Sequence, residues 1–386
     1  MKASIAAASQ ELPTELRSLP LGEIAQITMG NSPPGESYND IGNGIPLING
    51  PVEFSEGAFG LTIKSKYTTS PTKLCKTGDF LICVRGSTTG RTNIAAFDAC
   101  IGRGVAAIRA REDQRYLNHF LRTLRQKIFD SGHGSTFPSI SQEQLSDLIV
   151  PLPSLSEQKR IAGILDQADG LRRKRQQALA LTDHLAPSIF REMFGSRDSR
   201  GLRWSTSTVG DAVNLTNGRA FKSSDWKKEG LPIIRIQNLK NSDASFNYFD
   251  GEYDDQHLVE PGALLIAWAG QLVSFGVHLW PGPAGVLNQH IFKVTPKGKY
   301  SPVFLHQALS EVIERAKSQF HGIDMKHITK SDLVSHEIPN PPYEMQCEFA
   351  RRVSVAESIR SRCFTAAKRD EQLFNSLVQR AFRGEL

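Results

Sequence analysis

Leu21-Gly22-Glu23-Ile24-Ala25, with Thr28-Met29-Gly30 just beyond it, returns as Val209-Gly210-Asp211-Ala212-Val213 with Thr216-Asn217-Gly218, a shift of 188 residues (209 less 21). A repeat changes the meaning of every motif inside it, so its extent was traced first. Gly44-Ile45-Pro46-Leu47-Ile48 matches Gly230-Leu231-Pro232-Ile233-Ile234 at a shift of 186, and Gly78-Asp79-Phe80-Leu81-Ile82 matches Gly262-Ala263-Leu264-Leu265-Ile266 at 184. Gly134, Ile140, Leu145 and Pro151 then match Gly322, Ile328, Leu333 and Pro339, restoring 188. The order is collinear, and the small changes of shift imply insertions and deletions in loops. A period this long excludes a solenoid. The chain is a duplicated domain.

Within each copy, short runs rich in Ile, Val and Leu sit between Gly, Pro and Asn clusters, which is the punctuation of strands. Phe80 to Val84, Val105 to Ile108, Leu264 to Trp268 and His290 to Val294 are such runs, and helices are expected near Tyr116 to Phe129 and Pro302 to Phe320. Each copy then changes period. Positions 161, 164, 168, 171, 175, 178, 182, 185, 189 and 192 are apolar seven times in ten. Positions 349, 353, 356, 360, 363, 367, 370, 374, 377 and 381 are apolar eight times in ten. Heptad spacing of this kind makes a helix with one apolar seam.

Ser154-x-x-Glu157 reads as a capping box at the start of the first long helix, while Gly195 and Gly384 stand where the two helices should stop. At the α-helical rise each rod is roughly 58–60 Å long. Pro187 removes a backbone hydrogen bond near the end of the first and predicts a kink there. One long apolar stripe cannot be covered by a domain of about 130 residues, so the two helices are expected to pack on each other. The reading is α+β: two duplicated mainly-β domains separated by two long helices packed as an antiparallel coiled coil, with pseudo-two-fold symmetry. The expected boundaries are an extension at 1–18, a first domain at 19–153, a first helix at 154–195, a linker at 196–203, a second domain at 204–341 and a second helix at 342–386.

The chain has 386 residues, 39% hydrophobic and 22% charged, which is globular composition, and its length suits two or three domains. No apolar stretch approaches the ~20 residues that span a bilayer, and Met1 to Ser9 lack a signal-like apolar core. No membrane association and a cytoplasmic location are expected. Five cysteines, none in a C-x2-C pair, argue against a disulfide framework or a zinc site. The net charge of +6 suits an anionic partner such as DNA and excludes an acidic DNA mimic.

Asn340-Pro341-Pro342-Tyr343 matches the N-P-P-Y tetrad with which adenine methyltransferases hold a flipped base. The repeat, however, aligns it with Leu152-Pro153-Ser154-Leu155, the entry to a long helix, and no F-x-G-x-G loop for a methyl donor precedes it. Glu157-Gln158-Lys159 beside Asp147 has the residue types of a metal-dependent nuclease, but Glu157 has a capping role and its counterpart is Met345. Gly102-Arg103-Gly104 is a fragment of a dinucleotide fingerprint that the other copy replaces with Asn288-Gln289-His290. There is no G-x-x-x-x-G-K-[ST] and no H-E-x-x-H.

The most suggestive loops come in pairs. Arg85-Gly86-Ser87-Thr88-Thr89-Gly90-Arg91 combines exposed backbone with hydroxyl and guanidinium donors suited to phosphate and base edges, and its partner is Ala269-Gly270-Gln271. Gly134-Ser135-Thr136-Phe137 corresponds to Gly322-Ile323-Asp324-Met325, followed by Lys326 and His327. A retained scaffold with altered polar tips is what two readers of different short sequences need. Candidate DNA-binding residues are therefore Arg85, Ser87, Thr88, Thr89, Arg91, Ser135, Thr136, Gln271, Lys326 and His327, with Lys64, Lys66, Arg219 and Lys222 as phosphate contacts. No catalytic, cofactor-binding or metal-ligating residue is assigned.

The run Ile149-Val150-Pro151-Leu152-Pro153-Ser154-Leu155-Ser156-Glu157-Gln158-Lys159-Arg160-Ile161-Ala162, with the duplicated layout from Leu19 to Leu386, resembles the specificity (S) subunits, HsdS, of type I restriction-modification systems. The second junction, Glu337 to Gln346, keeps the prolines and the glutamine but lacks the adjacent Glu-Gln pair. The resemblance implies a non-catalytic reader of a bipartite, asymmetric double-stranded DNA site, one half-site per target-recognition domain. It implies two modification (methyltransferase) subunits and restriction/translocase subunits as partners. S-adenosylmethionine, ATP and magnesium would sit on those subunits, and this chain would need no cofactor. Two readers on one face of a duplex would place their half-sites roughly 10 bp, or ~34 Å, apart. The rival readings are a stand-alone adenine methyltransferase using the Asn340 tetrad and a two-headed DNA-binding regulator.

Overall fold

Arg17–Pro20 opens the first copy as a short strand, and its antiparallel partner Ile149–Leu152 closes it, so the two ends of the domain are tied together. In the second copy Thr206–Thr208 and Glu337–Pro339 do the same. The computed structural model describes residues 17–57, 59–124, 139–195, 204–241, 243–269, 274–318 and 329–386. The chain forms two compact units: Met1–Gln176 with Ala366–Leu386, and Gln177–Thr365.

In the first unit a one-turn helix, Leu21–Ile24, leads into an antiparallel sheet whose strands lie in the order Ala25–Met29, Val105–Ala110, Phe80–Cys83, Thr92–Ile94. A second sheet has the order Tyr38–Asn39, Lys66–Thr68, Ile45–Ile48, Ala99–Ile101, Leu74–Cys75, with one parallel pair at its centre, Leu47 opposite Cys100 and Ile48 opposite Ile101. The second unit repeats the first sheet and four of the five strands of the second. Val213–Asn217, Ile291–Pro296, Leu264–Ala267 and Gly276–Leu279 form the first sheet. Asn247–Phe249, Leu231–Ile234, Gly285–Leu287 and Leu258–Val259 form the second, with Ile233 and Ile234 parallel to Val286 and Leu287.

The continuous apolar runs are explained by burial on both faces. Phe80 and Ile82 point into one core with Leu117 and Leu121 of the helix Gln114–Thr123, while Leu81 and Cys83 point into another with Ile101 and Val105. Leu264 and Ile266 likewise face Phe304, Leu305 and Leu309 of the helix Pro302–Ser318, and Leu265 faces Leu287 and Trp280. One repeated glycine is required by geometry. Gly44 has φ +91° and Gly230 φ +120°, and a Cβ on either would come within 2.2 or 2.3 Å of the carbonyl oxygen of Thr68 or Phe249 on the adjoining strand.

Each domain is clamped to its helix by a buried glutamine. Gln158 is 1% exposed, and its Nε2 donates to the Pro153 carbonyl at 2.9 Å and to the Glu112 carboxylate. Gln346 is 2% exposed, and its Nε2 donates to the Pro341 carbonyl at 3.0 Å while its Oε1 accepts from the Ser301 amide at 3.0 Å. These are the same position of the repeat. At the first junction the Tyr116 hydroxyl donates to the Pro151 carbonyl at 2.6 Å, and burial pushes its ionisation well above the usual range.

The long helices are Leu155–Thr182 and Tyr343–Arg383, with a separate helix at Leu185–Phe194. The expected kink at Pro187 is a break three to four residues earlier, at Asp183 and His184. Pro187 lies in the first turn of the following helix, where the amide it lacks has no intrahelical role. Half of the expected capping box forms: the Ser154 hydroxyl accepts from the Glu157 amide at 3.4 Å, but the Glu157 carboxylate binds Arg160 at 2.6 Å instead of reaching back. The helices stop before Gly195 and Gly384, as expected.

In the first unit, Arg160 reaches the Leu386 carbonyl, Arg172 pairs with Glu371 at 3.0 Å and Arg175 with Asp370 at 3.2 Å, so the two segments run antiparallel. In the second, Asp183 pairs with Arg360 at 2.7 Å and Glu192 with Arg352 at 3.6 Å, with Phe190 and Phe194 packed on Phe349. The seam of Tyr343–Arg383 is the expected one, buried at Phe349, Val353, Ala356, Phe374 and Ala381. That of the first helix is shifted: Gln158, Ile161, Ala162, Leu165 and Asp169 are buried, whereas Leu171 is 47% exposed. Heptad counting treats a carboxylate as an outward residue, but Asp169 is drawn inside by Arg172 at 2.7 Å, Arg173 at 2.9 Å and Arg122 at 3.4 Å.

Three stability effects follow, each read by denaturant unfolding of the intact chain. Gly44→Ala should cost more than the about 1–3 kcal/mol of left-handed strain alone, and Gly78→Ala, at φ +89° with no atom within 4 Å, should cost the strain only. Equal losses would show that the Thr68 carbonyl yields freely. Gln346→Ala should cost about 1–3 kcal/mol for an unsatisfied buried amide and carbonyl; a loss near zero would show that water replaces the clamp. Asp169→Leu should cost about 3–5 kcal/mol, because it removes the buried partner of the half-buried Arg122 and Arg172 guanidinium groups, and a neutral effect would show that they turn out to solvent.

Candidate nucleic-acid interface

In the first unit the loop after Phe80–Cys83 is a closed turn. Gly90 N–H donates to the Cys83 carbonyl and Cys83 N–H to the Arg91 carbonyl, both at 2.8 Å, and Gly86 and Gly90 take φ +84° and +83°. This turn holds Arg85 and Ser87 exposed at its tip. Thr88 is half-buried against Cys83, whose thiol is pushed up to about 11 by burial. Thr89 is buried, and its hydroxyl donates to the Gly86 carbonyl at 2.8 Å, so it shapes the turn from inside.

Arg91 links this turn to a second loop, donating through Nη2 to the Phe54 carbonyl at 3.4 Å. Asn93 makes a parallel link to the Ser55 carbonyl at 3.1 Å. The second loop is organised by Glu53, only 2% exposed, which accepts from the amides of Asn49 and Gly50 at 3.1 and 3.2 Å and from the Ser65 hydroxyl at 3.0 Å. On this loop Lys64 is exposed, with its ammonium 5.1 Å from the centre of the Phe97 ring. Lys66, also exposed, begins the adjoining strand. The structure thus brings Lys64, Lys66, Arg85, Ser87 and Arg91 onto two hydrogen-bonded loops. Glu53 was not singled out from the sequence, since a lone acidic residue in a loop carries no pattern.

In the second unit Arg219 is half-buried. Its guanidinium lies 4.7 Å from the Phe249 ring and 5.3 Å from the Phe221 ring, and its Nη1 donates to the Glu252 carbonyl at 2.9 Å. Lys222 is exposed three residues on, with its backbone amide held by Asp225 at 2.8 Å. The structure adds neighbours that periodicity did not reveal: Trp226, 43% exposed, with the Arg235 guanidinium 5.3 Å over its ring, and the exposed Lys227 and Lys228. Ser135, Thr136, Gln271, Lys326 and His327 lie outside the described residues.

The motifs with a catalytic resemblance occupy structural positions. Asn340 is exposed at the strand-to-helix junction, its amide donating to the Ser205 carbonyl at 2.8 Å and its Oδ1 accepting from the Tyr300 hydroxyl at 3.4 Å. Tyr343 is the first residue of the long helix, with the Lys299 ammonium 4.4 Å from its ring. Gly102 and Gly104 lie in the turn between Ala99–Ile101 and Val105–Ala110. Among the described residues no group of three or more His, Cys, Asp or Glu could hold a metal ion, and no helix is long and apolar enough to cross a membrane.

The family model for the type I restriction modification DNA specificity domain matches the chain twice, over residues 13–181 and 202–361. A putative type I restriction enzyme specificity subunit of Methanocaldococcus jannaschii, MjaX, is 37% identical over 166 residues, 42% of this chain and 38% of that relative. The EcoBI specificity subunit of Escherichia coli is 28% identical over 155 residues, 39% of this chain and 32% of the relative. The matches therefore span about a third of these relatives' own lengths. A crystal structure of a type I restriction-modification S subunit from M. genitalium has a TM-score of 0.55 at 16% identity, covering 97% of this chain and 98% of the other. A chain from a study of assembly and conformational transition of the type I system has a TM-score of 0.64 at 18% identity, covering 97% and 100%. At such identities the likeness is one of fold. With one family model matched twice, once over each copy of the repeat, the chain belongs to the type I restriction-modification DNA specificity domain family.

Proposed function

We propose that this chain is the non-catalytic specificity subunit of a type I restriction-modification enzyme, reading a bipartite, asymmetric double-stranded DNA site with one half-site per domain. The observation that carries the reading is the duplicated scaffold with unlike tips. The two units share strand order and a parallel strand pair, yet the loops at equivalent places carry different side chains. A scaffold repeated to read one sequence twice would keep its tips; one that reads two sequences must change them.

In this reading Lys64, Lys66, Arg85, Ser87, Thr88 and Arg91 serve the first half-site, with Ser135 and Thr136. Thr89 acts with them through the turn that it closes. Arg219, Lys222, Gln271, Lys326 and His327 serve the second. Lysines and arginines without a carboxylate partner supply the salt-dependent phosphate term, and the turn tips supply base discrimination. The reading takes the target-recognition domains as 19–153 and 204–341, with the helices as an antiparallel coiled coil in the pseudo-two-fold relation that the repeat implies. The antiparallel ion pairs within each unit support that pairing. Two modification subunits and the restriction/translocase subunits assemble on this framework and bring the methyl donor, ATP and magnesium. The commitment of Asn340 and Tyr343 to a junction supports placing the adenine chemistry on those partners.

The test is a genome-wide map of adenine methylation in a methylation-free host expressing the chain with its modification subunits, and each alone. A split asymmetric motif, with half-site centres roughly 10 bp apart, should appear only with both. Methylation by this chain alone would make Asn340-Pro341-Pro342-Tyr343 an active site and overturn the proposal. No motif in any combination, with specific binding of the chain alone to an operator-like site, would favour a regulator.

A further inference from the structure

The two copies differ most tellingly where their central parallel strands end. Ile45–Ile48 is followed by Asn49 and Leu231–Ile234 by Arg235, at the repeat shift of 186. The strand-end contact is retained, although the first copy continues into a turn at Pro51–Glu53 and the second into a short helix at Ile236–Lys240. Gly102 N–H donates to the Ile48 carbonyl at 2.9 Å, and its counterpart Asn288 N–H donates to the Ile234 carbonyl at 3.1 Å. A buried polar residue then caps each turn: Glu53 accepts from the Asn49 amide at 3.1 Å, and Asn238, 5% exposed, accepts from the Arg235 amide at 3.1 Å. Asn238 also donates to the carbonyls of Ala244 and Ser245 at 3.2 and 3.3 Å, fixing the loop beyond.

The side chains go different ways for a steric reason. In the first copy Asn49 lies against Gly102, so closely that a Cβ on Gly102 would come within 2.2 Å of its Oδ1. In the second copy the residue at that place is Asn288, which has a Cβ, and the pocket that accepts Asn49 is closed. Arg235 instead extends over the half-exposed Trp226 ring, at 5.3 Å, and no described carboxylate pairs with it. Lys222, Lys227 and Lys228 are exposed on the same segment as Trp226, against Asp225, whose carboxylate is engaged by the Lys222 amide, and Glu229. The guanidinium is thus desolvated on one face by indole, unneutralised, and held by a capped backbone.

Resting on the proposed reading of the chain as a bipartite DNA reader, we propose that Arg235 is a base-reading residue of the second half-site, positioned by Asn238 and Asn288 and held over the Trp226 ring, and that it recognises a guanine. Phosphates are the same in both half-sites and give no reason to change a side chain on a retained backbone; base identity does. A planar fork of donors aligned by an aromatic face matches the O6 and N7 acceptors of guanine, which a lysine cannot engage in the same way. Arg219, with its guanidinium over the adjoining Phe221 and Phe249 rings and bonded to the Glu252 carbonyl, positions the loop that carries Lys222 and Trp226.

The experiment is the methylation map of the chain with its modification subunits, comparing the unsubstituted chain, Arg235→Ala, Arg235→Lys and the pair Asn288→Gly with Arg235→Asn. Arg235→Ala and Arg235→Lys should each relax one G·C position of one half-site, with discrimination there falling about 5- to 150-fold, and leave the other half-site unchanged. The double variant should lose the same guanine preference with a melting temperature close to that of the unsubstituted chain. An unchanged motif with Arg235→Lys and uniformly weaker methylation with Arg235→Ala would reassign Arg235 to phosphate and overturn the inference. So would equal loss at both half-sites. An unsubstituted chain that gives no split motif would overturn the underlying reading and the inference together.

Discussion

Everything else in this structure is referred to one buried amide in each copy. Gln158 and Gln346 sit where a strand, a proline-rich turn and a long helix meet, almost without access to water, and their side-chain amides donate to the buried Pro153 and Pro341 carbonyls. A buried carbonyl without a partner is costly, so the direction in which each helix leaves its domain is set by where that amide can reach. A serine or lysine would not span the gap and stay dry. This is why the junction reads so distinctly in the sequence, and why the second keeps the glutamine after losing the glutamate beside it.

The two units are not equivalent in how their helical segments are held. In the first, a nearly inaccessible Asp169 gathers Arg122, Arg172 and Arg173, and Arg122 and Arg172 also lie over the Phe374 ring. Next to this network His119 is 2% exposed, bonded to Asp166 at 2.8 Å, with burial holding its imidazole below the usual range. In the second, the corresponding helix Pro302–Ser318 carries Gln307 where the first has His119, and the packing is aromatic: Phe190, Phe194, Phe304 and Phe349. A buried ionic cluster contributes little net stability over a well-packed apolar one. What it does impose is register, because only one alignment of the segments neutralises all of its charges.

The loops are held differently from the cores. In each copy the middle strands and their glycines are held by backbone contacts that tolerate no added carbon, as at Gly44 and Gly230. The loops beyond them are fixed by single buried polar residues, Glu53 in one copy and Asn238 in the other. A loop hung from one such hydrogen-bonded anchor can exchange its outward side chains without disturbing the sheet beneath it. That separation of anchor from tip lets one architecture carry two different sets of outward side chains.

The duplication, the strand runs, the helix ends at Gly195 and Gly384 and the second helical seam were legible in the sequence, because each depends on local periodicity or on glycine and proline geometry. Lys64, Arg85 and Arg219 could be singled out by composition and by comparing the two copies. The phase of the first seam could not, because Asp169 is drawn inside partly by Arg122, 47 residues away in the chain, as well as by its helix neighbours Arg172 and Arg173; nor could the half-formed cap, since Glu157 had Arg160 to choose instead. Glu53, Asn238 and the pairing of Arg235 with Trp226 were equally hidden. Sequence by itself determined that one domain is present twice and where its elements lie, since those follow from short-range backbone preference. Only tertiary structure decided which polar groups go inside and which point out, because that choice rests on whether a neighbour such as Gly102 or Asn288 leaves room for a side chain to turn in.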